Sequence, residues 1–275
     1  MKTDLSKRAM RAERAVVTRH ELLYGEYRVL QMHVPAVARA VQPGQFVHLE
    51  IPGLDDAILR RPFSVFKADD AMLSVLYKPV GKGTRAMTSI RVDDEISLIG
   101  PLGHGFPTSH DVAKPVLVAG GYGMAALYLV ACALKSSGTI FMGGRSAGDI
   151  LCVDEFEAID WDVRIATEDG SRGTRGFVTV ALDEYVAGLP DAREVEYFAC
   201  GPNAMLKAVC DRALANDQKA WLSVDRHMGC GVGACLVCVQ RIRDPESRNG
   251  DWHWERVCSE GPVFESREIV WDDDE

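Results

Sequence analysis

Over the first hundred residues, apolar and polar positions alternate in short runs. From Phe46 to Ile51 the apolar residues Val47, Leu49 and Ile51 fall on one face, the two-residue period of a half-buried strand. Met72 to Tyr77 and Glu95 to Ile99 read as further strands. Glycine and proline interrupt the runs at Pro43-Gly44, Pro52-Gly53, Gly81, Gly83, Gly100-Pro101 and Gly103. Short strands at even spacing predict a small antiparallel β-barrel over residues 1–107.

After residue 107 the pattern changes. Pro115 to Ala119 is a continuous apolar run, as in a strand covered on both faces. A glycine turn follows, Gly120-Gly121-Tyr122-Gly123. Then Met124 to Lys135 repeats Leu127, Val130, Ala131 and Leu134 along one helix face. Strands are expected again at Thr139 to Met142, Val163 to Thr167 and Glu194 to Ala199, and helices at Phe177 to Ala187 and Asn203 to Ala215. Alternating strand and helix predicts a central α/β, Rossmann-like nucleotide domain over 108–220. Gly120, Gly121 and Gly123 stand where a dinucleotide pyrophosphate meets helix N–H groups. Residues 221–275 remain as a small C-terminal lobe, so the chain is expected to be multidomain.

That lobe carries the sharpest chemistry. Cys230, Cys235 and Cys238 have C-x4-C-x2-C spacing, and Cys258 follows after nineteen residues. This is the plant-type [2Fe-2S] spacing. Gly229, Gly231 and Gly233 give the backbone freedom to wrap a small anionic cluster. Zinc is a second reading, although zinc ribbons usually open on a shorter knuckle. A buried or disulfide-linked set of thiols is a third. Cys132, Cys152 and Cys210 sit in apolar stretches and are expected in the core. His48, His104, His227 and His253 are isolated and are expected at the surface or as hydrogen-bonded core residues.

Composition narrows the partners. The 275 residues carry 40 acidic and 31 basic side chains, a net charge of −9. That balance argues against nucleic acid or an anionic membrane. Hydrophobic residues make up 47%, yet no apolar run approaches the roughly twenty residues of a membrane helix. Met1 to Arg14 is basic and polar with no apolar run behind it, unlike a secretory signal. An acidic tail runs from Asp272 to Glu275. Half of the eight cysteines belong to the cluster motif, which points to a reducing compartment. Four of the five tryptophans, Trp221, Trp252, Trp254 and Trp271, lie in the last fifty-five residues. They read either as packing under the cluster loop or as a contact surface.

Several segments resemble the ferredoxin-NADP+ reductase superfamily. Arg61-Pro62-Phe63-Ser64 is similar to its first flavin motif, which implies Arg61 on the FAD diphosphate and Ser64 near the flavin ring. Leu76-Tyr77-Lys78, with Gly83-Thr84 after it, is similar to the second flavin segment. It implies Tyr77 on the flavin, and Gly83 and Thr84 at the diphosphate, with Thr84 capping a helix over Arg85 to Ile90. Cys200-Gly201-Pro202 matches a third mark, which makes Cys200 the catalytic-site residue facing the nicotinamide. Gly143-Gly144-Arg145-Ser146 leaves NADH or NADPH open, with NADH favoured by resemblance. At the glycine turn Ala126 stands where relatives have proline.

The order of the parts, with Gly100-Pro101-Leu102-Gly103-His104-Gly105-Phe106 and the short cluster lobe, resembles the electron-transfer subunits of type B dihydroorotate dehydrogenase. That resemblance implies FAD, one [2Fe-2S] cluster and NAD(H) as substrate. It implies a partner catalytic subunit carrying FMN that oxidises dihydroorotate to orotate in pyrimidine biosynthesis. It also implies a cytoplasmic heterotetramer of two subunits of each kind. Related reductases serve sulfide dehydrogenases, electron-bifurcating transhydrogenases, hydrogenases and sulfite reductases with the same sites. A zinc-bearing module without redox activity is the reading from a different class.

Overall fold

The computed structural model describes residues 10–54, 58–244 and 251–271. Residues 1–9 of the basic N-terminus and the acidic tail lie outside them. Strands β1 (Arg11–Tyr24), β2 (Tyr27–His33), β3 (Phe46–Leu49), β4 (Arg61–Ala68), β5 (Met72–Tyr77) and β6 (Glu95–Leu102) close an antiparallel barrel in the order β1-β2-β5-β4-β3-β6. Short helices α1 (Pro35–Ala38) and α2 (Lys82–Ala86) fill two of its connections. Val47, Leu49 and Ile51 point into the barrel with Leu30, Leu73, Val75 and Leu98, as their alternation required.

The nucleotide domain is a parallel sheet with helices on both faces. Its strands are β7 (Lys114–Gly120), β8 (Thr139–Gly144), β9 (Asp162–Thr167), β10 (Thr174–Arg175) and β11 (Val195–Cys200). Its helices are α3 (Gly123–Ala133), α4 (Val153–Glu157), α5 (Val178–Ala187) and α6 (Asn203–Ala215). Along β7, Val116 and Val118 meet α5 and α6, while Leu117 and Ala119 meet α3 and α4. Burial on both faces explains why this strand reads as an unbroken apolar run. Cys152 and Cys210 are buried as expected, but Cys132 is exposed. It sits on α3 just beyond the buried positions Leu127, Val130 and Ala131.

The C-terminal lobe grows out of this sheet. Strand β12 (Lys219–Ser223) pairs parallel with β11 and runs across position 220/221. The chain then leaves to form β13 (Val239–Arg243) and β14 (Trp252–Arg256), a separate antiparallel pair. It returns as β15 (Val263–Glu265), antiparallel to β12. The seven-stranded order is β10-β9-β8-β7-β11-β12-β15. No helix among the described residues is long and apolar enough to cross a membrane.

Candidate functional site

The predicted site residues fall in three groups: on the barrel strands β4 and β5 with α2, at the carboxyl ends of β7 and β11, and in the C-terminal lobe. Arg61 and Arg60 open β4. Arg60 is committed: its guanidinium donates to Glu50 at 2.8 Å and to the Ser97 backbone and hydroxyl at 2.8 Å. Arg61 donates only to the carbonyls of Leu59 and Arg60, and has no acidic partner among the described residues. Its side chain lies across α2, where a Cβ on Gly83 would be 3.0 Å from Arg61 Nε. A guanidinium with no acidic partner, beside bare backbone, suits a diphosphate, which it can bind bidentately.

Pro62, Phe63 and Ser64 continue β4 opposite His48, Val47 and Phe46 of β3. All three are half-buried. In β5, Leu76 faces the nucleotide domain and Tyr77 faces the barrel interior. The Tyr77 hydroxyl donates to Nε2 of His20 at 2.8 Å, because Nδ1 of that ring faces the Ile90 carbonyl at 2.8 Å. Lys78 reaches Glu26 at 3.1 Å and lies 3.8 Å from Asp149. Asp149 also accepts from Tyr27 at 3.2 Å, so it joins barrel to nucleotide domain. Thr84 differs from expectation. The helix starts at Lys82 with Gly81 as N-cap, and Thr84 is its third residue. The Thr84 hydroxyl accepts from Val80 and Gly81 at 3.0 Å each, which brings the turn before the helix together.

On the nucleotide side, Gly120, Gly121 and Gly123 form the turn between β7 and α3, packed on Cys200-Gly201-Pro202 at the end of β11. A Cβ on Gly123 would be 2.1 Å from the Cys200 carbonyl oxygen, and one on Gly120 would be 2.7 Å from Pro202 Cδ. Only glycine permits this approach. Cys200 stands in register with Ala119 of β7 and Ser223 of β12. Burial pushes its thiol up to about 12, against the Ser223 hydroxyl, which favours the thiolate, and with Asp225 raising it further. Cys200 is therefore a neutral thiol at pH 7, suited to shaping a pocket and not to nucleophilic attack.

The cluster loop turns its amides onto sulfur. Val232 N, Ala234 N and Cys235 N donate to Cys230 Sγ at 3.4, 3.2 and 3.4 Å, and Cys230 N donates to Cys235 Sγ at 3.4 Å. Burial works against the Cys230 thiolate, but these amides outweigh it and bring the thiol down to about 6. Cys238 and Cys258 are buried beside each other, and desolvation pushes Cys258 up to about 12, its Cys238 neighbour adding to the rise. The sulfurs thus stand as two pairs, Cys230 with Cys235 and Cys238 with Cys258, a set of four thiols that fits a two-iron cluster held by four cysteines.

Sequence reasoning missed the clamp around this loop. Arg256 Nη1 donates to the Gly233 carbonyl at 2.8 Å, and Glu260 binds the rest of that guanidinium. Their four-residue separation around Cys258 was the available signal. It also misread His48. His104, His227 and His253 are exposed, but His48 is fully buried and neither ring nitrogen has a hydrogen-bond partner. Burial brings its imidazole down to about 4; the Cys230 backbone opposes this, and Arg60 and Arg61 reinforce it. The tryptophans divide. Trp221 donates to Glu196 at 2.7 Å and Trp271 packs against the core, whereas Trp252 and Trp254 form an exposed edge-to-face pair 5.3 Å apart.

Comparisons with known proteins agree with this geometry. Residues 225–270, which include all four motif cysteines, match the family described as the iron-sulfur cluster binding domain of dihydroorotate dehydrogenase B. Residues 117–211 match the oxidoreductase NAD-binding domain. The chain is 35% identical over 248 residues to a Desulforamulus reducens protein named dihydroorotate dehydrogenase B (NAD(+)), electron transfer subunit, covering 88% of this chain and 92% of that one. A Bacillus cereus protein of the same name is 34% identical over 261 residues, covering 93% and 96%. Among solved structures, an NADH-dependent reduced ferredoxin-NADP oxidoreductase studied for flavin-based electron bifurcation superposes with a TM-score of 0.79 at 27% identity, over 94% of this chain and 90% of that one. A ferredoxin reductase of carbazole 1,9a-dioxygenase, at 22% identity and a TM-score of 0.64 over 76% and 67%, shares the fold.

Proposed function

Because the chain belongs to the family of dihydroorotate dehydrogenase B electron-transfer subunits, we propose that its three sites act as one relay between a partner dehydrogenase and NAD+. The chain is an electron-transfer subunit of an oxidoreductase, with FAD, a [2Fe-2S] cluster and NAD(H) as its redox groups. NAD exchanges two electrons as a hydride, an iron-sulfur cluster moves one at a time, and a flavin converts between the two. Arg61 and Gly83 would hold the FAD diphosphate, and Pro62, Phe63, Ser64 and Leu76 would line the flavin. Thr84 would keep the turn at Gly83 in shape. Tyr77 and Lys78 would support that side from the barrel core and the domain joint. Gly120, Gly121 and Gly123 would take the NAD pyrophosphate beside Cys200. Cys230, Cys235, Cys238 and Cys258 would carry the cluster.

The division into barrel (1–107), nucleotide domain (108–220) and cluster lobe (221–275) would then be one of function, since β12 and β15 join the last two into one sheet. The observation that carries the reading is the two pairs of thiols beside a loop that packs on β3, the neighbour of the flavin-motif strand β4. The partner would be an FMN-containing subunit on which dihydroorotate becomes orotate, in a cytoplasmic assembly of two plus two. The exposed apolar side chains Val232, Leu236, Val237, Trp252 and Trp254 around the cluster loop would meet it. Likeness to the ferredoxin-NADP oxidoreductase supports a second reading, a subunit of a bifurcating complex.

Anaerobically purified protein should show flavin bands and a dithionite-bleachable shoulder. Mixing with an FMN-containing dihydroorotate dehydrogenase should restore dihydroorotate:NAD+ activity. A colourless protein, or a coloured one that restores nothing, overturns the assignment. Cys235→Ala should lose the cluster's EPR signal while NADH still reduces the flavin.

A further inference from the structure

Strand β3 lies between the flavin motif and the cluster loop, and its two faces do different things. Val47 and Leu49 fill the barrel. On the other face, Phe46 packs in the same apolar group as Cys238, Cys258, Leu102, Val257 and Phe264. His48, two residues on, is cross-strand neighbour to Pro62 of β4 and Ile99 of β6. Its ring meets the other half of the cluster loop. A Cβ on Gly231 would lie 2.5 Å from His48 Nδ1 and 2.9 Å from Cε1, and Gly231 holds φ at +71°. The outward face of β3 thus meets the cluster loop at Gly231, next to Cys230, while its backbone pairs with the flavin-motif strand.

An imidazole is a poor choice for a purely apolar contact. A buried polar atom left without a partner is costly; neither ring nitrogen has one within hydrogen-bond geometry, and the loop group the ring feels is the Cys230 backbone. Buried orphan groups of this kind call for a bound partner or a redox role. The ring always carries at least one N–H, and the loop bearing Cys230 is what Nδ1 faces.

We propose that His48 is a positioning residue for electron transfer between flavin and cluster. Its ring N–H is directed at the Cys230 side of the bound cluster, completing the donor set that the loop amides begin, and it seats that loop against the flavin-bearing barrel. Hydrogen bonds to cluster sulfurs favour the more negative, reduced state and so raise the potential. The step it serves moves one electron and breaks no bond. The inference rests on the flavin and cluster reading above.

The test begins with unaltered, anaerobic protein. Absence of flavin and cluster signals there would overturn the reading and this proposal with it. Where both are present, His48→Leu should lower the cluster's midpoint potential by about 59 mV, a tenfold shift in the reduced fraction of a one-electron couple. It should also slow cluster bleaching after mixing with NADH by tenfold or more, while flavin reduction keeps its rate. His48→Gln, which retains an N–H, should return most of the potential. An unchanged potential and bleaching rate in a His48→Leu protein that holds its cluster overturns the proposal. If His48→Leu sheds the cluster, pulsed EPR on His227→Gln protein with isotopically labelled histidine nitrogens decides. A histidine-nitrogen coupling to the reduced cluster supports the proposal, and its absence overturns it.

Discussion

Arg60 and Arg61 are adjacent and have opposite fates. Arg60 is consumed by Glu50 and Ser97, which fixes the barrel rim. Arg61 keeps its charge for a ligand. A charge-assisted hydrogen bond contributes about 1.5–3 kcal/mol, so Arg61→Ala should weaken FAD binding roughly tenfold to a hundredfold, as read by titrating flavin-free protein with FAD. The sequence could not say which arginine lacked an acidic partner, because that depends on Glu50 arriving just past β3 and Ser97 from β6. The pairing of the motif cysteines was legible because their spacing is local: three of the four lie within nine residues. Thr84 and His48 were not. One depended on where a helix begins, and the other on which element covers a strand's outer face.

A second consequence at this scale concerns alkaline pH. Burial pushes the thiol of Cys200 and the hydroxyls of Tyr77 and Tyr197 up to about 12, from ordinary values of 9 and 10. The unfolded chain loses these protons first. The stability they contribute is complete below pH 9 and drains away as pH rises through 12. Urea midpoints should therefore fall between pH 9 and 11, and Cys200→Ala should flatten the first part of that fall. A flat profile across this window would contradict the burial assigned to these groups.

Among elements, the cluster loop depends most on something other than its own packing. Its amides point at sulfur, and its anchors are Arg256 with Glu260 on one side and β3 on the other. Removing iron with a chelator should leave like-charged or protonated thiols with nothing to hold them together. Hydrogen exchange should then rise across residues 229–238 and 256–260, while β11 and β12 stay protected within the parallel sheet. Equal loss of protection in β12 would mean the lobe and the sheet unfold as one unit. Four strands and three helices of the nucleotide domain were legible within about two residues, from their apolar runs and one-sided helix patterns; β10 and α4, two and five residues long, were not. The extension of the sheet by β15 was not. Val263–Glu265 is only three residues long and carries no period of its own, so its place is set by the partner strand.

At the scale of the molecule, barrel and nucleotide domain are joined by polar ties as well as by apolar packing. Tyr24 donates to Glu155 at 3.0 Å, Tyr27 to Asp149 at 3.2 Å, and Lys67 lies over the rings of Phe66 and Tyr128. The order of the three parts could be read from the chain, since each has its own periodicity or spacing. Their contacts could not, because the tying residues are scattered singly over more than a hundred positions.

The pairing of Ser223 with Val263 has a practical corollary. The whole cluster-bearing excursion begins and ends at facing positions of one antiparallel ladder, so it is topologically a cassette spliced into a hairpin. Replacing residues 225–261 by a short type I′ turn should give a yellow, iron-free protein that still passes electrons from NADH to ferricyanide, and loss of flavin from it would show that the splice point bears on the barrel.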